Sequence, residues 1–268
     1  NGINYDDNKK ILGIVKKYDI VKASLGFYPD DIIKSSENEI EENFEFIKKN
    51  KNKIFAIGEV GLDLYHNSSL DKQKEVFLRI IGLALEINKP LIIHSRKAEK
   101  ECIEILKNFE VKRAIFHSFT GNFKLVKEIE KNNWMLSIPC NITRAEHFQN
   151  IVKNFNLNQI LTETDSPYLG PYKDKMNEPS FIVETIKIIS RIKNLEKEEV
   201  EKIIFKNYQN FFWTERYLNK FNIILINKKY FFLNILGKRG EYKWKRKNLL
   251  KKRRDEEDIL SSSFFIFL

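Results

Sequence analysis

Short apolar runs recur along the chain with helical stretches between them. This alternation predicts an α/β fold on a parallel sheet, each strand returning through a crossover helix. The runs are residues 21–27, 54–57, 91–93, 114–116, 135–138 and 160–162. None alternates cleanly between apolar and polar positions, and all are rich in Ile, Phe, Leu or Val, the pattern of strands buried on both faces. Residues 70–88 form the clearest helix, with Phe77, Ile80, Ile81, Ala84, Leu85 and Ile87 as its apolar stripe. Residues 97–109, 123–132, 145–154 and 179–192 read the same way. Pro179 suits a first helical turn, where a missing N–H costs nothing. Residues 1–19 read as a helix leading into the first strand.

Polar residues capable of chemistry follow one strand after another. Glu59 comes after the second run, His94 after the third, His117 after the fourth and Asp165 after the sixth. An open doubly wound sheet accommodates six strands, but its ligands gather at one switch point. Residues at many successive strand ends favour a TIM-type (β/α)8 barrel. Eight strands are needed and six are visible, so the expectation is a barrel lacking its first strand, helix and strand.

Charge changes the picture little once it is located. The formal net charge is +10, but residues 220–268 carry 13 Lys/Arg against 5 Asp/Glu. Residues 1–219 are nearly neutral, so the overall basicity is no argument that this part binds nucleic acid. The expected division is a catalytic domain over residues 1–219 and a basic, low-complexity tail over 220–268. That tail reads as a disordered extension or, favoured by its composition, as sequence outside the natural reading frame. No apolar run is long enough to span a bilayer. No signal-peptide pattern stands at the start, so a cytoplasmic location is expected, with the nucleus open. Cys102 and Cys140 are isolated and read as buried thiols.

Glutamate, aspartate and imidazole held at four strand ends suit Mg2+, Mn2+ or Zn2+. Taken singly, a histidine after a strand is more often a packing residue, and a glutamate in a glycine-flanked turn is often just solvated. Recurrence in four separate units is what turns the reading toward a metal site.

Five strings sharpen it: Gly58-Glu59-Val60-Gly61-Leu62-Asp63, Pro90-Leu91-Ile92-Ile93-His94-Ser95-Arg96, His117-Ser118-Phe119-Thr120-Gly121, Glu163-Thr164-Asp165-Ser166-Pro167 and Asn177-Glu178-Pro179. In order and spacing they resemble the signatures of the TatD-type deoxyribonuclease family, over roughly residues 1–213. The resemblance implies a TIM-type barrel of the amidohydrolase superfamily and metal-dependent hydrolysis of DNA, as a 3′-to-5′ exonuclease; a monomer is the default expectation. The resemblance also implies two divalent cations, Mg2+ foremost. Glu59 would bridge them, His94 and His117 would complete one site, and Asp165 would hold the other and act on the attacking water. Arg96 would contact a phosphate through its planar fork, or else pair with Glu99 or Glu101. By position alone, His66 near the mouth would touch substrate or else be a plain loop histidine, Tyr28 would line the pocket or hydrogen bond, and Asp63 would brace the Glu59 loop by accepting backbone hydrogen bonds.

Two departures stand out. The family opens with a strand ending in His-x-His, whereas the histidines here are 66, 94, 117 and 147, with no such pair. Tyr28 in Gly26-Phe27-Tyr28-Pro29 stands where many members carry histidine. The competing readings are an inactive or mispredicted fragment without a metal site, and another amidohydrolase acting on small esters or amides. His147 is expected on a polar helix surface and Trp134 in the core.

Overall fold

The computed structural model describes residues 1–65 and 69–212. His66, the division at 219/220 and the tail beyond it lie outside the described residues. Six strands form one parallel sheet in sequence order: β1 (Ala23–Leu25), β2 (Ile54–Gly61), β3 (Leu91–His94), β4 (Ala114–His117), β5 (Met135–Ile138) and β6 (Ile160–Thr162). Helices α1 (Tyr5–Lys17), α2 (Pro29–Lys34), α3 (Glu37–Lys49), α4 (Leu70–Glu86), α5 (Glu99–Asn108), α6 (Phe123–Lys131) and α7 (Glu146–Asn154) precede or join these strands. The last two, α8 (Ile182–Lys193) and α9 (Lys197–Phe212), follow β6.

The strands are buried on both faces, as their composition predicts. Leu25, Ile57, Ile93, Phe116, Leu136 and Leu161 lose all solvent contact. Each such side chain contributes about 1.5–3 kcal/mol by leaving water. Phe77, Ile81, Leu106, Ile129, Ile151 and Ile189 close over them from the helices. Trp134 joins this layer and donates its indole N–H to the Val111 carbonyl at 2.8 Å. Cys102 and Cys140 are buried free thiols. Asn207 staples α9 to the start of β6, donating to the Leu157 and Ile160 carbonyls at 2.8 Å each.

Several elements differ from the sequence reading. On α4 the buried face is Val76, Phe77, Ile80, Ile81, Leu83 and Ala84, while Leu85 is exposed. At 100° per residue Leu85 falls at the edge of the stripe, so the helix turns it to solvent. Helix α3 was not anticipated, although Ser36 and Glu39 form a capping box at its start. Residues 179–181 make a 3-10 turn before α8 rather than its first α-turn. His147 is half-buried, its Nε2 lying 3.1 Å from the Phe119 carbonyl, rather than exposed. Finally, the chain start is more than a helix leading into β1. Gly2 bridges Leu25 in parallel and donates its N–H to the Ser24 carbonyl at 2.9 Å. The first residues thus run along the side of β1 that faces away from β2.

Candidate metal centre

Strand β2 is longer than its apolar run, and that extension carries Glu59 inside the strand instead of in a turn after it. The register against β3 shifts between Ile57 and Val60, then resumes with Gly61 opposite His94. Two glycines permit the approach. A Cβ on Gly61 would lie 2.0 Å from the His94 carbonyl oxygen, and its φ of 141° suits glycine alone. A Cβ on Gly26 would lie 2.4 Å from the Glu59 backbone. The chain therefore brings Glu59 against its neighbours on β1 and β3 only because these positions lack side chains.

The result is a tight triangle. Glu59 Oε1 lies 2.7 Å from His94 Nδ1 and 2.7 Å from His117 Nε2, and the two ring nitrogens are 3.0 Å apart. All three side chains are buried. Three lone-pair-bearing atoms this close need a proton or cation among them, since lone pairs repel. The donor set, one carboxylate and two imidazoles with ligand atoms within 4.8 Å of one another, fits a divalent cation.

Behind each imidazole stands a buried carboxylate. Asp63 Oδ2 is 2.7 Å from His94 Nε2 and accepts the Tyr28 hydroxyl at 2.9 Å, while Oδ1 accepts the Tyr65 N–H at 2.8 Å. Gln73 clamps the Asp63 backbone, accepting from its N–H at 2.8 Å and donating to its carbonyl at 2.9 Å. Glu163 Oε2 lies 3.7 Å from His117 Nδ1 and accepts the Ser137 hydroxyl at 2.8 Å; Oε1 accepts the Ser118 N–H at 2.8 Å.

Electrostatics follow from this packing. Burial by itself would raise the Glu59 carboxyl, but His117 and His94 outweigh it and hold it well below the usual range. For His94, burial opposes the charged ring, yet Asp63 and Glu59 raise it above the usual value. His117 is raised further, by Glu59 and Glu163 against burial. Asp63 is pulled down to about 2: its burial is overcome chiefly by the hydrogen bond with His94.

Asp165 shares the cavity but stands outside the triangle. Burial pushes its carboxyl up to about 7, with Glu163 and Glu59 adding repulsion and His117 opposing. Its backbone is left-handed, φ 54°, as are those of Ser118 and Lys97 (φ 43° and 63°). These non-glycine residues sit just past β6, β4 and β3. Such strain, about 1–3 kcal/mol each, clusters at functional sites.

The cavity holds about 540 Å³ and is lined by Tyr28, Glu59, His94, Arg96, His117, Asp165 and Tyr168, among others. The sequence-derived candidates within the described residues therefore meet at one mouth. Arg96 forms no ion pair with Glu99 or Glu101; its guanidinium lies 3.4 Å above the Tyr65 ring centroid. Glu99 instead accepts the Thr120 hydroxyl at 2.8 Å. Tyr28 lines the cavity and packs edge-on to His94, with ring centroids 4.9 Å apart.

A family model described as TatD related DNase matches residues 1–213. The chain belongs to this TatD family of metal-dependent hydrolases. Among TatD relatives, an uncharacterized metal-dependent hydrolase of Methanocaldococcus jannaschii is 37% identical, covering 76% of this chain and 80% of that protein. Deoxyribonuclease TATDN3 of Homo sapiens is 31% identical, over 78% of this chain and 81% of that protein. The crystal structure of YjjV, a TatD homologue from Escherichia coli, superposes with a TM-score of 0.74 at 21% identity, covering 80% and 85% of the two chains. A TatD-family hydrolase from Entamoeba histolytica gives 0.72 at 22%, covering 79% and 83%. The architecture is accordingly the TIM-type barrel of the TatD proteins, with six of its strands among the described residues. No described helix is long and apolar enough to cross a membrane.

The sequence analysis gives Glu163 no role of its own, although it stands in the Glu163-Thr164-Asp165-Ser166-Pro167 string. The signal was present: it is an acidic residue directly after a buried strand, a position that water does not reach. Asp63 was expected to brace a loop, and it does so through Tyr65; its contact with His94 was not foreseen.

Proposed function

We propose that the protein hydrolyses phosphodiester bonds of DNA, working from the 3′ end. One observation carries the reading: the Glu59 carboxylate held between two imidazoles, with the Asp165 carboxyl lining the same cavity. Glu59, His94 and His117 would hold one divalent cation, and Asp165 together with Glu59 a second, Mg2+ foremost and Mn2+ or Zn2+ as alternatives. The chemistry supplied by bound cations is charge neutralisation of the phosphodiester, which otherwise repels a nucleophile.

The chain's own residues supply the rest. Asp165, lining the cavity beside Glu59 and the two imidazoles, would orient the attacking water and take a proton from it. The new P–O bond forms from that water, the bond from phosphorus to the 3′ oxygen breaks, and a proton ends on the departing 3′ hydroxyl. Asp63 and Glu163 hold the two imidazoles in orientation. Arg96 reaches the cavity as an exposed planar cation suited to a phosphate oxygen. The family match and the deoxyribonuclease name of the human relative support DNA as substrate.

The test is cleavage of single-stranded DNA labelled at one end or the other. With Mg2+ present, 5′-labelled strands should shorten stepwise and 3′-labelled strands should release the label at once. Unchanged breakdown in the presence of excess chelator would end the metal reading.

A further inference from the structure

Tyr168 lines the same cavity as the metal cluster, yet its side chain is 66% exposed. The backbone beneath it is pinned. Its N–H donates to the Asp165 carbonyl at 2.8 Å, and its own carbonyl accepts Asn177 Nδ2 at 2.5 Å. Asn177 also donates to the Thr164 carbonyl at 2.5 Å, so one amide ties both ends of the turn. The turn carries left-handed backbone at Asp165 and at Leu169, φ 54° and 49°, neither of them glycine. A strained, fixed turn that presents an aromatic ring to solvent gains nothing for stability from that ring.

A second planar surface lines the same cavity. Arg96 is stacked on the Tyr65 ring at 3.4 Å and also lines the cavity. Rigid tyrosine rings lose little conformational entropy on contact. Aromatic rings and stacked guanidinium planes are the surfaces that hold unpaired bases without regard to sequence, because every base has a π-face.

We propose that Tyr168 forms a subsite that stacks the unpaired terminal nucleobase of a DNA strand whose last phosphodiester lies at the metal cluster, with Arg96, backed by the Tyr65 ring, facing the phosphate. The inference rests on the DNA reading above and deepens it.

The test uses the full chain with Mg2+ and an oligodeoxynucleotide ending in 2-aminopurine, its last linkage a phosphorothioate to slow cleavage. Aminopurine fluorescence falls on stacking. Wild type should quench it, and should bind this strand about 5- to 150-fold more tightly than one ending in an abasic residue. Tyr168→Ala should lose the quenching and most of that preference; Tyr168→Phe, which keeps the ring, should retain both. Equal wild-type binding of the two strands, absence of binding, or an undiminished preference in Tyr168→Ala would each overturn the subsite. Cleavage of the unmodified strand is scored separately. A stacked but uncleaved strand would fault the nuclease reading and leave the subsite standing.

Discussion

Replacing Asp63 with asparagine is the sharpest probe of how this site would hold a cation. Asp63 has no solvent exposure, and its Oδ2 lies 2.7 Å from His94 Nε2 while His94 Nδ1 faces Glu59. The ionised carboxylate fixes which ring nitrogen carries the proton and makes the other a better donor toward a cation. Asparagine keeps the shape but removes the charge. Loss of such a supporting partner costs about 10- to 100-fold in metal affinity, or about 1.4–2.7 kcal/mol. Because a cation that binds only the folded state stabilises it in proportion to the logarithm of its affinity, the same energy should vanish from metal-linked stability. For a domain of this size that is a fall of roughly 3–10 °C in the Tm gained on adding metal. Calorimetric metal titration measures the affinity, and melting with and without saturating metal measures the linkage. An Asp63→Asn protein with wild-type affinity and an undiminished metal-induced rise would refute the argument that the carboxylate tunes His94.

Three further outcomes are expected. Asp165→Ala should lower the DNA cleavage rate by about 10²- to 10⁴-fold while leaving Tm nearly unchanged; retained activity would remove Asp165 from the chemistry. The raised values of His94 and His117 set a pH dependence. In the metal-free protein their ion pairs with Glu59 stabilise fully below the unfolded histidine value of about 6.5 and are lost as pH rises through the higher folded values. Metal needs neutral rings, so the metal-induced gain in Tm should widen with rising pH; a gain that is flat from about pH 6 to 9 would contradict this. Gly61→Ala places a Cβ 2.0 Å from the His94 carbonyl at φ 141°, and should destabilise by about 3 kcal/mol or more by denaturant titration. A Gly61→Ala protein as stable as wild type would show that β2 and β3 separate freely.

Much of the architecture was legible along the chain because doubly buried strands advertise themselves. The runs at 91–93, 114–116, 135–138 and 160–162 each became a strand, since water-excluded backbone must pair and only apolar side chains tolerate both faces. Glu59, His94, His117 and Asp165 were readable for a related reason: ligand-type residues recur at the ends of four separate buried strands. The sequence by itself determined the order of strand and helix, the two sides of the amphipathic helices and the short roster of chemical residues. Distances between strands were decided only in three dimensions. The close meeting of Glu59 with two imidazoles depends on a register shift in β2 and on the bare backbone at Gly26 and Gly61, neither visible without the neighbouring strand. The pairing of Asp63 with His94 and of Glu163 with His117 likewise joins residues that stand far apart along the chain. Local patterns record what each segment buries, whereas a pKa, a ligand set or a stacking surface arises from what distant segments place against one another.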